Sequence, residues 1–528
     1  MHAQAQLSFG KPPAPIAASA AGFSFPATPL GWAARSRATT SSGETQVTEV
    51  VPEADLAAAL TSAPPVAGAR LSLGAWAWSL FEGGRDPYVI LVTIYIFMPY
   101  FASAVVGGGV AGQAAVAAYG QYSGWVVCLT APFLGASIDQ AGPRKGWLAL
   151  VVGLMIPLMA SLWFTTPDHK GLSVNAVILI ATIIAILFSY SEVLHNSLLV
   201  RAAALAGAHK ASARALSFAN ACALIALGFT AWAFALPGQV DWSWVPKAPL
   251  FGLDPSKHET DRIVAPMSAA LFIVFGLPLF LFTPDAEKTG VSLFKALPNG
   301  VRSLVRMVLT MRNYRDAAVY LTSRMFYTDG MTAVLFFAGV YATGVMGWNT
   351  LTMLIYGIIL TVVAVFGGFV GGWLDAWLGA KRSVQVEVGM SLLGIFAILG
   401  MAPDRILFFW HYDLAAHAPL WHGPFFTTWP EIVFLLIGFS NATFITAQYA
   451  SSRTLLTRLC PPDQTGAFFG VYALSGAATT WLGPTMVRWG GDIFHTQQGG
   501  FGMIAILLAI GFTGLMFVRG DGRMAHER

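Results

Sequence analysis

The sequence predicts an all-α membrane protein with twelve transmembrane helices in two pseudo-symmetric bundles of six. Three observations support this fold class: an apolar composition, apolar stretches of spanning length along most of the chain, and basic residues in alternate loops. Of the 528 residues, 56% are hydrophobic and 11% are charged. Soluble domains carry about 25% charged residues, so most of this chain belongs in lipid.

The helices are predicted from the apolar stretches themselves. About 20 residues cross the hydrocarbon core of a bilayer. Backbone groups cannot stay unpaired in lipid, so each stretch must be helical. We expect helices at 75–106, 114–137, 146–164, 174–200, 212–236, 265–283, 317–344, 351–374, 383–402, 430–452, 466–488 and 500–518.

The segments outside the helices set the domain boundaries. Residues 1–70 are rich in Ala, Pro, Ser and Thr, which predicts a disordered tail; a targeting segment and an over-extended start are the alternatives. Two bundles follow at 71–284 and 317–519, separated by a linker at 285–316, and a tail covers 520–528. The linker predicts an amphipathic helix on anionic headgroups. Its apolar stripe and neighbouring arginines are Val301, Leu304, Val305, Val308, Leu309, Arg302 and Arg306.

The basic residues predict the orientation. Loops on one side contain most of them, from Arg144 and Lys145 to Arg519, whereas the opposite loops contain few, such as Lys170 and Arg405. The positive-inside rule places the richer side in the cytoplasm. We therefore expect both termini in the cytoplasm.

One loop motif occurs in both halves, between the second and third helix of each. A glycine permits a tight turn or close packing, an aspartate can accept hydrogen bonds at a helix N-terminus, and a basic pair meets the headgroups. Two copies at matched positions indicate a parallel repeat and predict gating loops, although anchoring by positive charge alone would also explain them. The two sets are Gly135, Asp139, Gly142, Arg144 and Lys145, and Gly371, Asp375, Gly379, Lys381 and Arg382.

These loops resemble the signature of the major facilitator superfamily. In the second half, the segments Ser323–Gly330, Ala450–Pro461, Phe468–Ser475 and Leu482–Pro484 resemble the vacuolar amino-acid effluxer branch, which includes bacterial members. The resemblance covers about residues 71–519 and implies a secondary transporter that exports amino acids. Because it extends to bacterial members, it also implies an integral protein of the bacterial inner (plasma) membrane.

Polar and ionisable residues inside spanning helices are candidates for a substrate or proton pathway. In the first helix we expect Gly83, Gly84 and Pro87 to break or bend the chain beside three charges, unless residues 71–81 lie flat at the interface. Packing networks are the alternative for the other clusters. The candidates are Glu82, Arg85 and Asp86; Glu192, His195 and Asn196; Arg324 and Asp329; and Asn441 and Gln448.

The spacing of the two charged residues in the seventh helix predicts that each has a separate partner. Arg324 and Asp329 are five residues apart, which places them about 140° apart on a helix. Asp329 would then meet a cation, a substrate ammonium group or a proton in the cavity. The alternative is a structural pair with a basic residue on another helix, for which Arg85 is the candidate.

Composition and motifs also limit the classes of function that this protein can have. The histidines 411, 417 and 422 match no metal-ligand spacing, and Gly107–Gly109 lacks the residues of a phosphate loop. We expect no metal, cofactor or nucleic acid and no enzymatic activity. The predicted function is alternating-access transport of a small polar solute, an amino acid or a relative, by a monomer in the lipid bilayer, with protons as a candidate coupling ion. Export of drug-like compounds, and a non-transporting assembly or sensor protein, are the alternatives.

Overall fold

The structure is a computed structural model that describes residues 71–285, 313–460 and 465–520, with scattered positions between 298 and 311. The predicted N-terminal tail, most of the linker and residues 521–528 lie outside the described residues. Of the linker stripe, Val301, Val305, Val308 and Leu309 are described and helical, and the last three are exposed.

The N-terminal half contains six long helices. They are α1 (Leu73–Val105), α2 (Gly109–Ala141), α3 (Lys145–Phe164), α4 (Val174–Asn196), α5 (Leu199–Thr230, continued by Ala231–Ala235) and α6 (Glu259–Phe282).

The C-terminal half repeats this plan, with one helix in two segments. Its helices are α7 (Arg315–Val345), α8 (Thr350–Leu378), α9 (Ala380–Leu399), α10 (Trp429–Leu459), α11 (Thr465–Ala477 and Leu482–Phe494) and α12 (Gln497–Met516). Strands β1 (Arg405–Ile406) and β2 (Trp410–His411) form a short antiparallel hairpin before α10. Within the described ranges, nine helices are long and apolar enough to cross a membrane. Each of the twelve predicted stretches contains a helix, and only the eleventh is interrupted, at 478–481; this confirms the fold class and is consistent with twelve crossings.

Local sequence explains several helix starts. The hydroxyl of Ser72 accepts a hydrogen bond from the backbone at the start of α1, and Ser173 and Asn349 do the same for α4 and α8. Thr428 and Glu431 form a capping box on α10. Each of these side chains satisfies backbone donors that a helix N-terminus leaves free.

We call the end of the bundle that contains Leu73, the 142–144 loop and Gly379 the terminal face, and the end that contains the 237–258 and 400–428 loops the loop face. At the terminal face the repeated motif has the same backbone function in both halves. Gly142 ends α2 at φ 91° and Gly379 ends α8 at φ 81°, values that favour glycine.

The basic residues of the motif also act alike. Lys145 Nζ donates to the carbonyl of Thr283 over 2.8 Å, at the end of α6. Lys381 Nζ donates to the carbonyl of Val518, just after α12. In each half, the start of the third helix is therefore fixed to the end of the sixth, as a structural repeat requires.

The first helix differs from the prediction. The segment Leu73–Pro87 is a continuous α-helix and is mostly buried, so it neither breaks at Gly83 and Gly84 nor lies at the surface. The glycines instead permit close packing: a Cβ at Gly83 would lie 2.9 Å from Cys222 Sγ, and one at Gly84 3.1 Å from Phe272 Cδ2. After Pro87, which has no N–H to donate, the helix widens to π geometry over Tyr88–Tyr95.

Contacts between the two halves include several near the loop face. Thr350 Oγ1 donates to Asp261 Oδ1 over 2.6 Å, and the ring of Tyr95 packs against Gly357. Deeper in the bundle, Gln121 Nε2 donates to Thr485 Oγ1 over 2.9 Å. These contacts hold α1, α2 and α6 against α8 and α11.

Candidate functional site

A charged cluster lies between α1 and α4. Arg85 Nη1 is 2.9 and 3.0 Å from the two carboxylate oxygens of Glu82, and Nη2 is 3.5 Å from Glu192 Oε2. The guanidinium also lies 4.3 Å above the ring of Phe188. Arg85 is buried, whereas the side chain of Glu192 is 56% exposed. The cluster therefore reaches from the protein interior to the surface of α4.

His195 joins this cluster from α4. Its Nδ1 lies 2.9 Å from Glu82 Oε1, and its Nε2 lies 2.9 Å from the carbonyl oxygen of Trp78. The indole of Trp78 donates to the carbonyl of His195 over 2.8 Å. The imidazole is fully buried between the rings of Trp78 and Phe81.

Two predicted members of these clusters have different surroundings. Asp86 is half-buried and Asn196 is exposed, and within the described ranges neither side chain makes a hydrogen bond. The structure thus brings together Glu82, Arg85, Glu192 and His195.

In the second half, Arg324 of α7 packs against the first segment of α11. Its Nη1 donates to the carbonyl of Tyr472 over 2.8 Å and to Ser475 Oγ over 2.7 Å. The guanidinium lies 3.5 Å above the Tyr472 ring. The side chain is buried, and in the described part of the chain its Nε has no hydrogen-bond partner and no carboxylate pairs with it. This is a buried cation whose charge its described neighbours leave unbalanced.

Asp329, on the same helix, is held by the other segment of α11. Its Oδ2 accepts a hydrogen bond of 2.7 Å from the amide of Gly483, at the start of Leu482–Phe494. The alternative pairing with Arg85 is wrong, because Arg85 is occupied by Glu82 and Glu192.

The amides of α10 are buried. Gln448 Nε2 donates to the hydroxyl of Ser452, whereas both polar atoms of Asn441 lack a partner among the described residues. Asn441 packs against Gly394 of α9, where a side chain would collide with it.

A buried carboxyl group on α9 was not among the residues predicted from the sequence. Glu387 is fully buried, and its Oε1 accepts a hydrogen bond of 2.8 Å from Ser451 Oγ of α10. Its Oε2 has no partner within the described ranges, where no cation pairs with this residue. A glutamate within an otherwise apolar helix was the available signal, but its position close to the start of the predicted helix made it resemble an interfacial residue.

The gating loops are described in part. The side chain of Asp139 lies outside the described residues, and Asp375 Oδ1 is buried without a hydrogen-bond partner in the described chain. Asp285 accepts from the backbone amide of Arg144 over 2.8 Å, which fixes the start of α3.

Comparison with known families and proteins gives one consistent result. Residues 122–525 match the family described as vacuole effluxer Atg22 like. An uncharacterized MFS-type transporter, YxiO, of Bacillus subtilis (strain 168) is 21% identical over 444 residues, which cover 84% of this chain and 94% of that protein. Autophagy-related protein 22-1 of Penicillium rubens is 20% identical over 42% of this chain and 35% of its own length.

Solved structures show a similar fold. A point mutant of the nucleoside transporter NupG superposes with a TM-score of 0.56 at 11% identity, over 85% of this chain and all of that one. A D-xylose-proton symporter superposes with a TM-score of 0.53 at 17% identity, over 86% of this chain and 98% of that one. At these identities the likeness concerns the fold alone.

Proposed function

Because the chain belongs to the vacuole effluxer Atg22-like family and is an MFS-type transporter, we propose that it exports a small polar solute that carries a carboxylate, an amino acid or a relative. The two bundles alternate in exposing a central site to either side. We place both termini in the cytoplasm on the distribution of the basic residues, and the protein in the bacterial plasma membrane because it matches a Bacillus subtilis relative over 84% of its length.

The observation that carries this proposal is the state of Arg324. Its guanidinium is buried beside the Tyr472 ring, and within the described ranges no carboxylate balances it. Leaving a buried charge unpaired is costly, and a guanidinium binds a carboxylate with two parallel hydrogen bonds. A carboxylate of the solute would supply the missing partner and use the free Nε.

The position of Arg324 favours a functional role for the interaction. It lies on α7 and contacts the α11 segment that ends at Ala477, just before the break in that helix. A solute carboxylate bound to Arg324 would therefore neutralise the charge directly beside the break in α11, where the second bundle can bend. Half-helices with free termini are common at transporter binding sites.

Efflux from proteoliposomes tests the proposal. Vesicles containing the purified protein are loaded with labelled amino acids or with the matching amines that lack the carboxylate, with and without a pH gradient. We expect release of amino acids and none of the amines. Arg324→Ala should abolish release, and Arg324→Lys should weaken it, because lysine keeps the charge but not the two-pronged geometry.

The matched control is Arg262→Lys. Arg262 is also buried and lies 4.8 Å above an aromatic ring, that of Trp163, but near the loop face. This variant should release amino acids like the wild type. Amines carried as fast as amino acids, or normal release by Arg324→Ala, would overturn a carboxylate-dependent function.

A further inference from the structure

We propose that Glu82 and His195 form a proton-binding pair and that this proton couples the movement of α1 against α4 to an ion gradient. This inference deepens the proposed function and rests on it for the transport step. It is carried by the geometry of the imidazole, which presents both ring nitrogens to oxygen atoms.

The hydrogen atoms and lone pairs of the His195 imidazole indicate that a proton lies between His195 and Glu82. A neutral imidazole has one N–H and one lone pair. The Nε2 atom faces the carbonyl of Trp78 at 2.9 Å and must donate, because a carbonyl only accepts. The Nδ1 atom lies 2.9 Å from Glu82 Oε1, although it is not aligned for a hydrogen bond and has no hydrogen-bond partner in the described chain. Two lone pairs at this distance would repel, and a proton on either Nδ1 or Glu82 turns that repulsion into attraction.

The ring cannot turn to avoid this contact. The Trp78 ring lies 4.3 Å from the imidazole at an interplanar angle of 9°, and the Phe81 ring lies 4.6 Å away at 22° on the other side. The reciprocal bond from Trp78 Nε1 to the carbonyl of His195 fixes the backbone as well. The proton is therefore bound at a defined place.

The proton reduces the negative charge of this cluster. Arg85 offsets one of the two carboxylates that contact it, Glu82 and Glu192, and the proton bound by the pair offsets the other. Loss of the proton leaves an excess negative charge in a partly buried cluster, where charge is costly. Asp86, four residues after Glu82, adds to this excess.

The other helices around the pair add no cation next to it in the described part of the chain. Helix α5 places Arg214 over the Trp76 ring at 3.9 Å and Cys222 beside Gly83. Helix α6 contributes apolar rings, those of Phe272 and Phe280, against Phe81.

The pair is exposed at one end. The side chain of His195 is fully buried, whereas that of Glu82 is 22% exposed and that of Glu192 is 56% exposed. A proton can thus enter and leave through the carboxylates. Because Glu82 belongs to α1 and His195 to α4, binding the proton joins these helices and releasing it separates them, which is the two-state element that coupling needs.

Two measurements test the pair, and the first needs no substrate. Nitrogen NMR of protein labelled at histidine resolves the ring nitrogens of the ten histidines, and the signal lost in His195→Gln assigns His195. At neutral pH we expect Nδ1 either to carry hydrogen or to accept a hydrogen bond from a protonated Glu82, and Glu82→Gln should shift this signal. A bare Nδ1 that Glu82→Gln leaves unchanged would overturn the proposal.

The second measurement follows solute in proteoliposomes. Glu82→Gln should lose accumulation driven by a pH gradient while retaining solute exchange without a gradient, and Glu259→Gln, at a loop-face carboxylate, should retain both. Gradient-driven accumulation that persists in Glu82→Gln would overturn the coupling role. A wild-type protein that moves no amino acid, but shows the expected nitrogen signal, would refute the proposed function and leave the proton-binding pair supported.

Discussion

The Oδ2 atom of Asp329 accepts a hydrogen bond of 2.7 Å from the backbone amide of Gly483. Gly483 is the second residue of the Leu482–Phe494 segment, so the carboxylate meets the free donors and the positive end of a helix. Thr479, in the break itself, donates through its hydroxyl to the carbonyl of Met325, one turn earlier on α7. Helix α7 thus contacts the break in α11 at two points.

We predict that Asp329 positions this break through its acceptor oxygen. Asp329→Asn retains an acceptor, so the protein should keep its membrane level and its exchange of solute. Asp329→Ala leaves the buried amide of Gly483 unsatisfied, which costs about 1–3 kcal/mol, and its thermal unfolding in detergent should occur at a lower temperature. Equal unfolding temperatures for the two variants would show that the bond does not support the fold. If Asp329→Asn loses only gradient-driven transport, Asp329 carries a proton instead.

The helices were predictable because an apolar segment in lipid must form its backbone hydrogen bonds within itself, as a helix does. Residues 351–374 were predicted helical from their apolar side chains alone, and the observed helix is Thr350–Leu378. The break in α11 has a local signal in Pro484, which lacks the N–H that would bond to the carbonyl of Thr480, but the contact that supports the break has no such signal. The backbone amide of Gly483, just after the break, donates to Asp329, which lies more than a hundred positions earlier. Such a tertiary contact leaves no local pattern in the sequence.

The candidate site was predictable in its residue types and less so in its pairings. An ionisable residue in an apolar stretch must find a partner or water, which singled out Glu82, Arg85 and His195. Helical spacing alone could not show that Glu82 bridges Arg85 and His195, because that requires α4 to pack on α1. The same spacing argument failed at Gly83, where packing against Cys222 rather than backbone freedom explains the glycine.

Glu387 supplies a second prediction. Its carboxyl group is fully buried and bonded to Ser451, with no cation paired to it in the described chain, so the neutral form is the one that this site favours. Glu387→Gln keeps a neutral polar side chain of similar shape and should preserve or raise the unfolding temperature. Glu387→Ala should lower it, because a cavity forms and Ser451 loses its acceptor.

Transport by the Glu387 variants distinguishes structure from coupling. If the residue only packs α9 against α10, Glu387→Gln should transport like the wild type at every pH. Transport that becomes independent of the pH gradient would instead make Glu387 a second proton carrier. A lower unfolding temperature for Glu387→Gln would contradict the neutral form, because the amide would then have replaced a stabilising charge.

The third prediction concerns closure at the loop face, where Thr350 of α8 donates to Asp261 of α6 over 2.6 Å. Asp261 also lies 2.8 Å from His258 Nδ1, so it is held in place to receive the hydroxyl. Hydrogen bonds to charged groups contribute about 1.5–3 kcal/mol, and each 1.4 kcal/mol is about tenfold in an equilibrium. Thr350→Val removes the donor at constant shape and should shift the protein toward conformations open at the loop face by about tenfold or more.

Spin labels on Phe251→Cys and Phe409→Cys report this shift, since both positions are 80% exposed and lie in loop-face segments of opposite halves. The three native cysteines are first replaced by serine. Thr350→Val should raise the population of long distances between the labels. The control is Thr361→Val on the same helix, whose hydroxyl bonds only to the Gly357 carbonyl in the described chain; it should leave the distances unchanged. A distance distribution that Thr350→Val also leaves unchanged would mean that apolar packing, such as that of Tyr95 on Gly357, closes this face without the hydrogen bond.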